Sequence, residues 1–133
     1  MAANIDVNND VKVAVTVAPA AALTATTTGT AVDTAGYRSK VAIINAGVAT
    51  DGTFTPELQE SAASGSGFTT VAAADLSGSF SAITSSADEV IQEVGYLGSK
   101  RYLKVVLTET VASAGQFITA EILLANPYTR PAA

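Results

Sequence analysis

The chain contains no cysteine, no histidine and no tryptophan. Without cysteine there are no disulfides, no thiolate nucleophile and no Cys-based zinc or iron–sulfur site. Without histidine there is no Ser-His-Asp triad, no imidazole base and no His-ligated metal. Positive charge is also scarce: seven Lys and Arg stand against twelve Asp and Glu, a formal net charge of −5. An acidic domain is repelled by phosphate backbones, so nucleic acid is not an expected partner. Long apolar runs are missing too. The longest, from Val13 to Leu23, is broken by Thr16 and Pro19 and is too short to span a bilayer, so no membrane association is expected. Met1 to Asp10 carries Asp6 and Asp10 but no positive charge, unlike a secretory signal, and synthesis and folding are expected in the cytoplasm.

What the chain does have is small and β-branched residues: 26 Ala, 17 Thr, 14 Val and 11 Ser among 133 residues. Hydrophobic residues make up 48% and charged residues 14%, the reverse of the balance that keeps a chain disordered. This mixture favours pleated sheets over helices. The length suits one domain, and a domain of this size buries roughly two thirds of its unfolded surface, enough for a core without covalent staples.

Periodicity divides the chain into short strands. Val11, Val13, Val15 and Val17 alternate with Lys12, Ala14 and Thr16, a half-buried strand that Pro19 ends. Leu23 to Thr28 reads as a second strand, followed by a loop marked by Gly29, Asp33 and Gly36. Val41 to Ala46 suits a strand buried on both faces. Asp51-Gly52 predicts a tight hairpin turn. Phe54 to Gln59 follows, with Pro56 suggesting a sheet edge, then a loop at Ser61 to Gly67 and strands at Phe68 to Ala72 and Phe80 to Ile83. Ser86-x-x-Glu89 fits a helix capping box, but Val90, Ile91, Val94 and Tyr96 are β-formers, and a strand is preferred there. Lys100 to Thr108 places Leu103, Val105 and Leu107 on one face; Gln116 to Ala125 sets Phe117 and Leu123 against Ile118, Ile122 and Leu124. About eight short strands separated by turns predict an all-β antiparallel sandwich, jelly-roll or immunoglobulin-like. Val13, Val15, Val41, Ile43, Leu103, Val105, Leu107, Ile122 and Leu124 are the expected core. Residues 1–10 read as a mobile arm, 11–125 as the sandwich and 126–133 as a tail.

Candidate chemistry is sparse. Glu57 and Glu60, three apart on a strand, point to opposite faces and do not make a glycosidase pair. Glu89 and Glu93 read as solvated surface. Gly65-Ser66-Gly67 lacks the lysine and the strand–helix context of a phosphate loop. No catalytic residue, metal or cofactor is expected, and the chain does not read as an enzyme. Lys100, Arg101 and Lys104, flanked by Tyr96 and Tyr102, form a basic patch that could contact nucleic acid with Tyr stacking or, in preference on an acidic domain, an acidic protein partner; the alternative is a charge-guarded sheet edge.

Four segments carry a resemblance: Ala18 to Ser39 (APAAALTATTTGTAVDTAGYRS), Ala46 to Ser61 (AGVATDGTFTPELQES), Thr70 to Phe80 (TVAAADLSGSF) and Glu93 to Leu107 (EVGYLGSKRYLKVVL). In that order they resemble a family of small structural head proteins of tailed bacteriophages and prophages, from about Val11 to Pro131. The resemblance implies a capsid decoration, or cement, protein. Its partner would be the major capsid protein on the outer surface of the virion, with self-association as a dimer or trimer. Relatives tend to carry an acidic Asp-Gly turn after the LQES strand; Ala62-Ala63-Ser64-Gly65 stands there instead, so no metal or ligand site is expected in that loop. The expected contact residues are Ile5 and Val7 in the arm, Pro127, Tyr128 and Arg130 in the tail, and the basic residues Lys100, Arg101 and Lys104. A head–tail connector or tail component of the same phage is an alternative. So is a carbohydrate-binding β-sandwich, similar along GSKRYLKV but lacking the tryptophan that sugar platforms favour.

Overall fold

A computed structural model describes residues 7–129. Its strands are β1 (Val11–Val17), β2 (Thr27–Thr28), β3 (Val32–Asp33), β4 (Tyr37–Ala49), β5 (Thr53–Ser61), β6 (Thr69–Thr70), β7 (Leu76–Ser77), β8 (Ile91–Tyr96), β9 (Tyr102–Thr110) and β10 (Gln116–Pro127). Every pairing is antiparallel. One sheet runs β1-β10-β4-β8-β7; the other runs β2-β9-β5-β6, with β3 also on β9. Thr27 lies opposite Leu107 and Val32 opposite Leu103, so β2 and β3 are two halves of one interrupted edge strand.

The pairing is nested. β1 joins β10, β2 and β3 join β9, β4 joins β8, and β5 joins β6. First pairs with last, inward to a central hairpin, which is the winding of a jelly roll. In an immunoglobulin sandwich the last two strands are sheet neighbours. Here β9 and β10 lie in opposite sheets. The fold is an all-β sandwich, and of the two expected architectures it is the jelly roll.

The core sits between the sheets and alternates large with small side chains. Ala14, Ile122, Ala42 and Val94 form one inward row across β1, β10, β4 and β8. In the next, Val17, Ala120 and Ile44 reverse the sizes. Facing them are Phe54, Leu58, Leu103, Val105 and Leu107, each no more than 1% exposed. Such interdigitation of large and small side chains is how protein interiors reach close packing.

Several expectations are corrected. Val13 and Val15 are 55% and 50% exposed, and Val41 and Ile43 are only half-buried. All four point outward from one sheet, because Ala14 and Ala42 flank the inward Ile122. β4 is therefore buried on one face, not both. Asp51-Gly52 reverses the chain, but into the opposite sheet: β5 pairs with β9, not with β4. The expected strands at Leu23 to Thr28 and Phe68 to Ala72 shrink to two residues each. Phe80 to Ile83 contributes only a bridge from Ile83 to Phe54. β10 runs two residues past Ala125, through Pro127. The strand preferred at Glu89 to Tyr96 forms from Ile91, and Glu89 has φ 52°, outside helical space. Pro56 costs no ladder bond. Phe54 and Leu58, of the same parity, turn their backbone groups to Ile83 and Val71, away from β9, so a Pro56 N–H would face the open side of β5.

Candidate partner-contact surface

The antiparallel register of β1 and β10 sets Val11 opposite Ala125. The start of the sandwich and the end of β10 therefore emerge side by side. Val7, in a 3₁₀ turn, is 56% exposed at this end, and Tyr128 is 64% exposed. Pro127 is buried opposite Tyr37. The Tyr128 N–H donates to the Gly36 carbonyl at 2.9 Å, and the Arg38 guanidinium lies 4.3 Å above the Tyr128 ring. Tyr128 is thus seated on the sandwich by backbone and ring together. Ile5 and Arg130 lie outside the described residues.

The β8–β9 connection reaches the same end, carrying Lys100 and Arg101. Arg101 is not a free cation. Its Nε and Nη2 donate to the two carboxylate oxygens of Asp33, each at 2.8 Å, a forked geometry that joins the β8–β9 connection to β3. Asp33 is held at about 2, first by the Arg101 hydrogen bond and then by the Ala35 N–H. The Thr34 hydroxyl and N–H both donate to the Arg101 carbonyl, at 2.6 and 2.9 Å. Lys104 points from the outer face of β9 with its ammonium 4.2 Å from the Phe68 ring centre. Two of the three basic residues are therefore engaged within the chain, and a partner would meet a preset guanidinium and ring surface.

Beneath the patch, Tyr96 is 4% exposed and bridges the sheets. Its hydroxyl donates to Glu60 Oε1 at 2.5 Å and accepts the Lys100 N–H at 2.9 Å. Desolvation, then the Glu60 hydrogen bond, pushes the phenol up to about 12. Glu57 instead accepts from Gln59 Nε2 and Thr70 Oγ1, on the other side of β5. Two grooves lie near this end: one of about 420 Å³ between β1 and β3, lined by Lys12, Asp33 and Tyr37 among others, and one of about 230 Å³ between Gly36 and Tyr128.

The six described contact residues thus come from three segments far apart in sequence. Val7, Lys100, Arg101, Pro127 and Tyr128 gather at one end, with Lys104 a short way up the adjoining face. Sequence reasoning missed Asp33 and Arg38, the partners that fix Arg101 and Tyr128. Asp33 and Arg101 are 68 residues apart, and only the β3–β9 register unites them. At the opposite end, Asp51 accepts the Ser113 hydroxyl and the N–H groups of Gly115, Ala114 and Ser113, which tie two loops and, the hydroxyl first, hold its carboxyl well below the usual range. Among the described residues, no cluster of three or more Asp or Glu is placed to hold a metal ion, and no helix is long and apolar enough to cross a membrane.

No protein-family model matches the chain, and neither a curated protein nor a solved structure matches it.

Proposed function

We propose that the chain is a non-enzymatic virion structural protein that decorates and stabilises a tailed-phage capsid by bridging neighbouring subunits of the major capsid protein. The observation that carries this reading is the gathering of both ends of the sandwich and the cationic β8–β9 connection at one end of a rigid jelly roll. A clamp needs adhesive groups presented from a scaffold that does not yield, and that end offers exposed Val7, Tyr128 and Arg101 next to the ends of β1, β10 and β9. Tyrosine and arginine are favoured anchors in protein contacts. The segment resemblance points the same way, and jelly rolls recur in viral shells and lectins, a likeness of fold alone.

The mechanism follows from linkage. Internal DNA pressure pulls capsid subunits apart. A protein that binds across their joint, and so binds the assembled lattice better than free subunits, stabilises the shell by mass action. Many weak contacts repeated by symmetry suffice. The experiment is capsid binding by Tyr128→Ala and Arg101→Ala variants and by a chain ending at Pro127, which spares β10. Lower occupancy, with salt weakening the Arg101 contribution, supports the clamp. Full occupancy by all three variants would remove this end from the contact.

A further inference from the structure

The two outer faces of the sandwich differ in kind. On one sheet, Thr55, Glu57 and Gln59 of β5 stand beside Thr108, Val106 and Lys104 of β9, a largely polar surface. On the other, Val13, Leu123 and Val41 form an apolar row across β1, β10 and β4, and Val15 and Ile43 flank Glu121 in the next. Exposed Ile91 and Phe117 lie further along the same face. An antiparallel sheet with one free side normally presents polar residues there.

The sheet edges differ as well. β6 and β7 are two residues long, and β2 and β3 are two-residue halves. Very short edge strands discourage pairing with other chains. β1 is seven residues long. Its Thr16 carbonyl already accepts the Thr30 N–H, but among the described residues no strand pairs with the outer edge of Val11–Val15. That edge carries one charge, Lys12, and its outward side chains are valines.

We propose that β1 is a self-association site. Two copies pair β1 with β1, antiparallel about a twofold axis through Val13, and two five-stranded sheets become one ten-stranded sheet. The choice of a second copy rests on self-complementarity. With Val13 facing its own symmetry mate, Val11 meets Val15 and Lys12 meets Ala14, so no like charges stand directly opposite. The row Val41–Leu123–Val13 then continues unbroken into the same row of the mate. A register centred on Ala14 would need Thr16, whose carbonyl is already taken.

The test is sedimentation velocity over a concentration series, using the wild-type protein, V13E, V13K and an equimolar mixture of the two variants. Val13 is 55% exposed, so both variants are expected to fold, and circular dichroism with thermal melting checks this. The wild type is expected to dimerise reversibly. Each variant alone is expected to associate about tenfold more weakly or worse, because a like charge faces itself across the axis. The mixture, pairing opposite charges, is expected to recover the dimer. A wild-type protein that stays monomeric at all concentrations would overturn the proposal. So would a dimer that V13E leaves intact, or a mixture no better than either variant alone. All of this is read on the free protein, so the result is separate from the fate of the capsid reading.

Discussion

Replacing Thr16 with valine isolates one hydroxyl that fastens the two sheets. Thr16 is 3% exposed on β1. Its Oγ1 donates to the Thr30 carbonyl at 2.8 Å and accepts the Val105 N–H of β9 at 3.2 Å. It fills the gap where the edge formed by β2 and β3 is interrupted. Valine keeps the shape but leaves a carbonyl and a buried N–H without a partner. Each buried polar group left unsatisfied costs roughly 1–3 kcal/mol, and partial hydration at Thr30 recovers some of it, so Thr16→Val is expected to cost about 2–3 kcal/mol. Thr16→Ser keeps the hydroxyl and loses one methyl, a cost of about 1 kcal/mol. Urea unfolding followed by far-ultraviolet circular dichroism measures both, with an unchanged slope expected because the surface exposed on unfolding is the same. The corresponding fall in Tm for Thr16→Val is roughly 6–12 °C. The order wild type, serine variant, valine variant is the decisive result. A valine variant as stable as the serine variant would show that packing, not the hydroxyl, fastens the sheets there.

Gly29 abuts the same hydroxyl. A Cβ on it would lie 2.3 Å from Thr16 Oγ1 and 2.6 Å from the Val105 carbonyl oxygen, so Gly29→Ala is expected to cost about 2 kcal/mol or more in the same urea assay. The fold holds Tyr96 neutral, so its contribution is complete below the ordinary value of 10 and falls away as pH rises toward about 12; subtracting a Tyr96→Phe melting series should reveal that alkaline loss, and parallel series would contradict it. Asp33 shifts the other way: what its pairing with Arg101 contributes is present above about 4 and fades as pH falls through about 2. The Tm difference between the wild type and Arg101→Ala should shrink over that interval, and should be small throughout because both side chains are about half exposed.

The parts legible in the sequence were those where one parity is plainly larger than the other. Leu103, Val105 and Leu107 are inward on β9, and Ile118, Ile122 and Leu124 are inward on β10 with Phe117 and Leu123 outside. β1 and β4 defeated the same rule. Period two gives the alternation but not which set faces in, and there the bulkier set faces out because Ile122 occupies the core between Ala14 and Ala42. Cross-strand size matching is a property of the pairing and cannot be read from one segment. The interlayer crossing at Asp51-Gly52 was hidden for the same reason: a tight reversal looks alike whether it returns to its own sheet or the facing one. Of the contact surface, the residue types were legible in the terminal segments and in Lys100, Arg101 and Lys104, but their meeting at one end depends on the β1–β10 and β3–β9 registers.

The most direct test of capsid decoration is the copy number of this protein in purified phage particles, measured by quantitative mass spectrometry against the major capsid protein, together with a heat challenge of particles lacking it. Decoration predicts hundreds of copies per particle and earlier loss of DNA-filled heads on heating when the protein is absent. A count on the order of six or twelve, the stoichiometry of a symmetric ring, would make it a connector or tail component. Absence from the particles, or equal heat resistance without it, would contradict the cementing role.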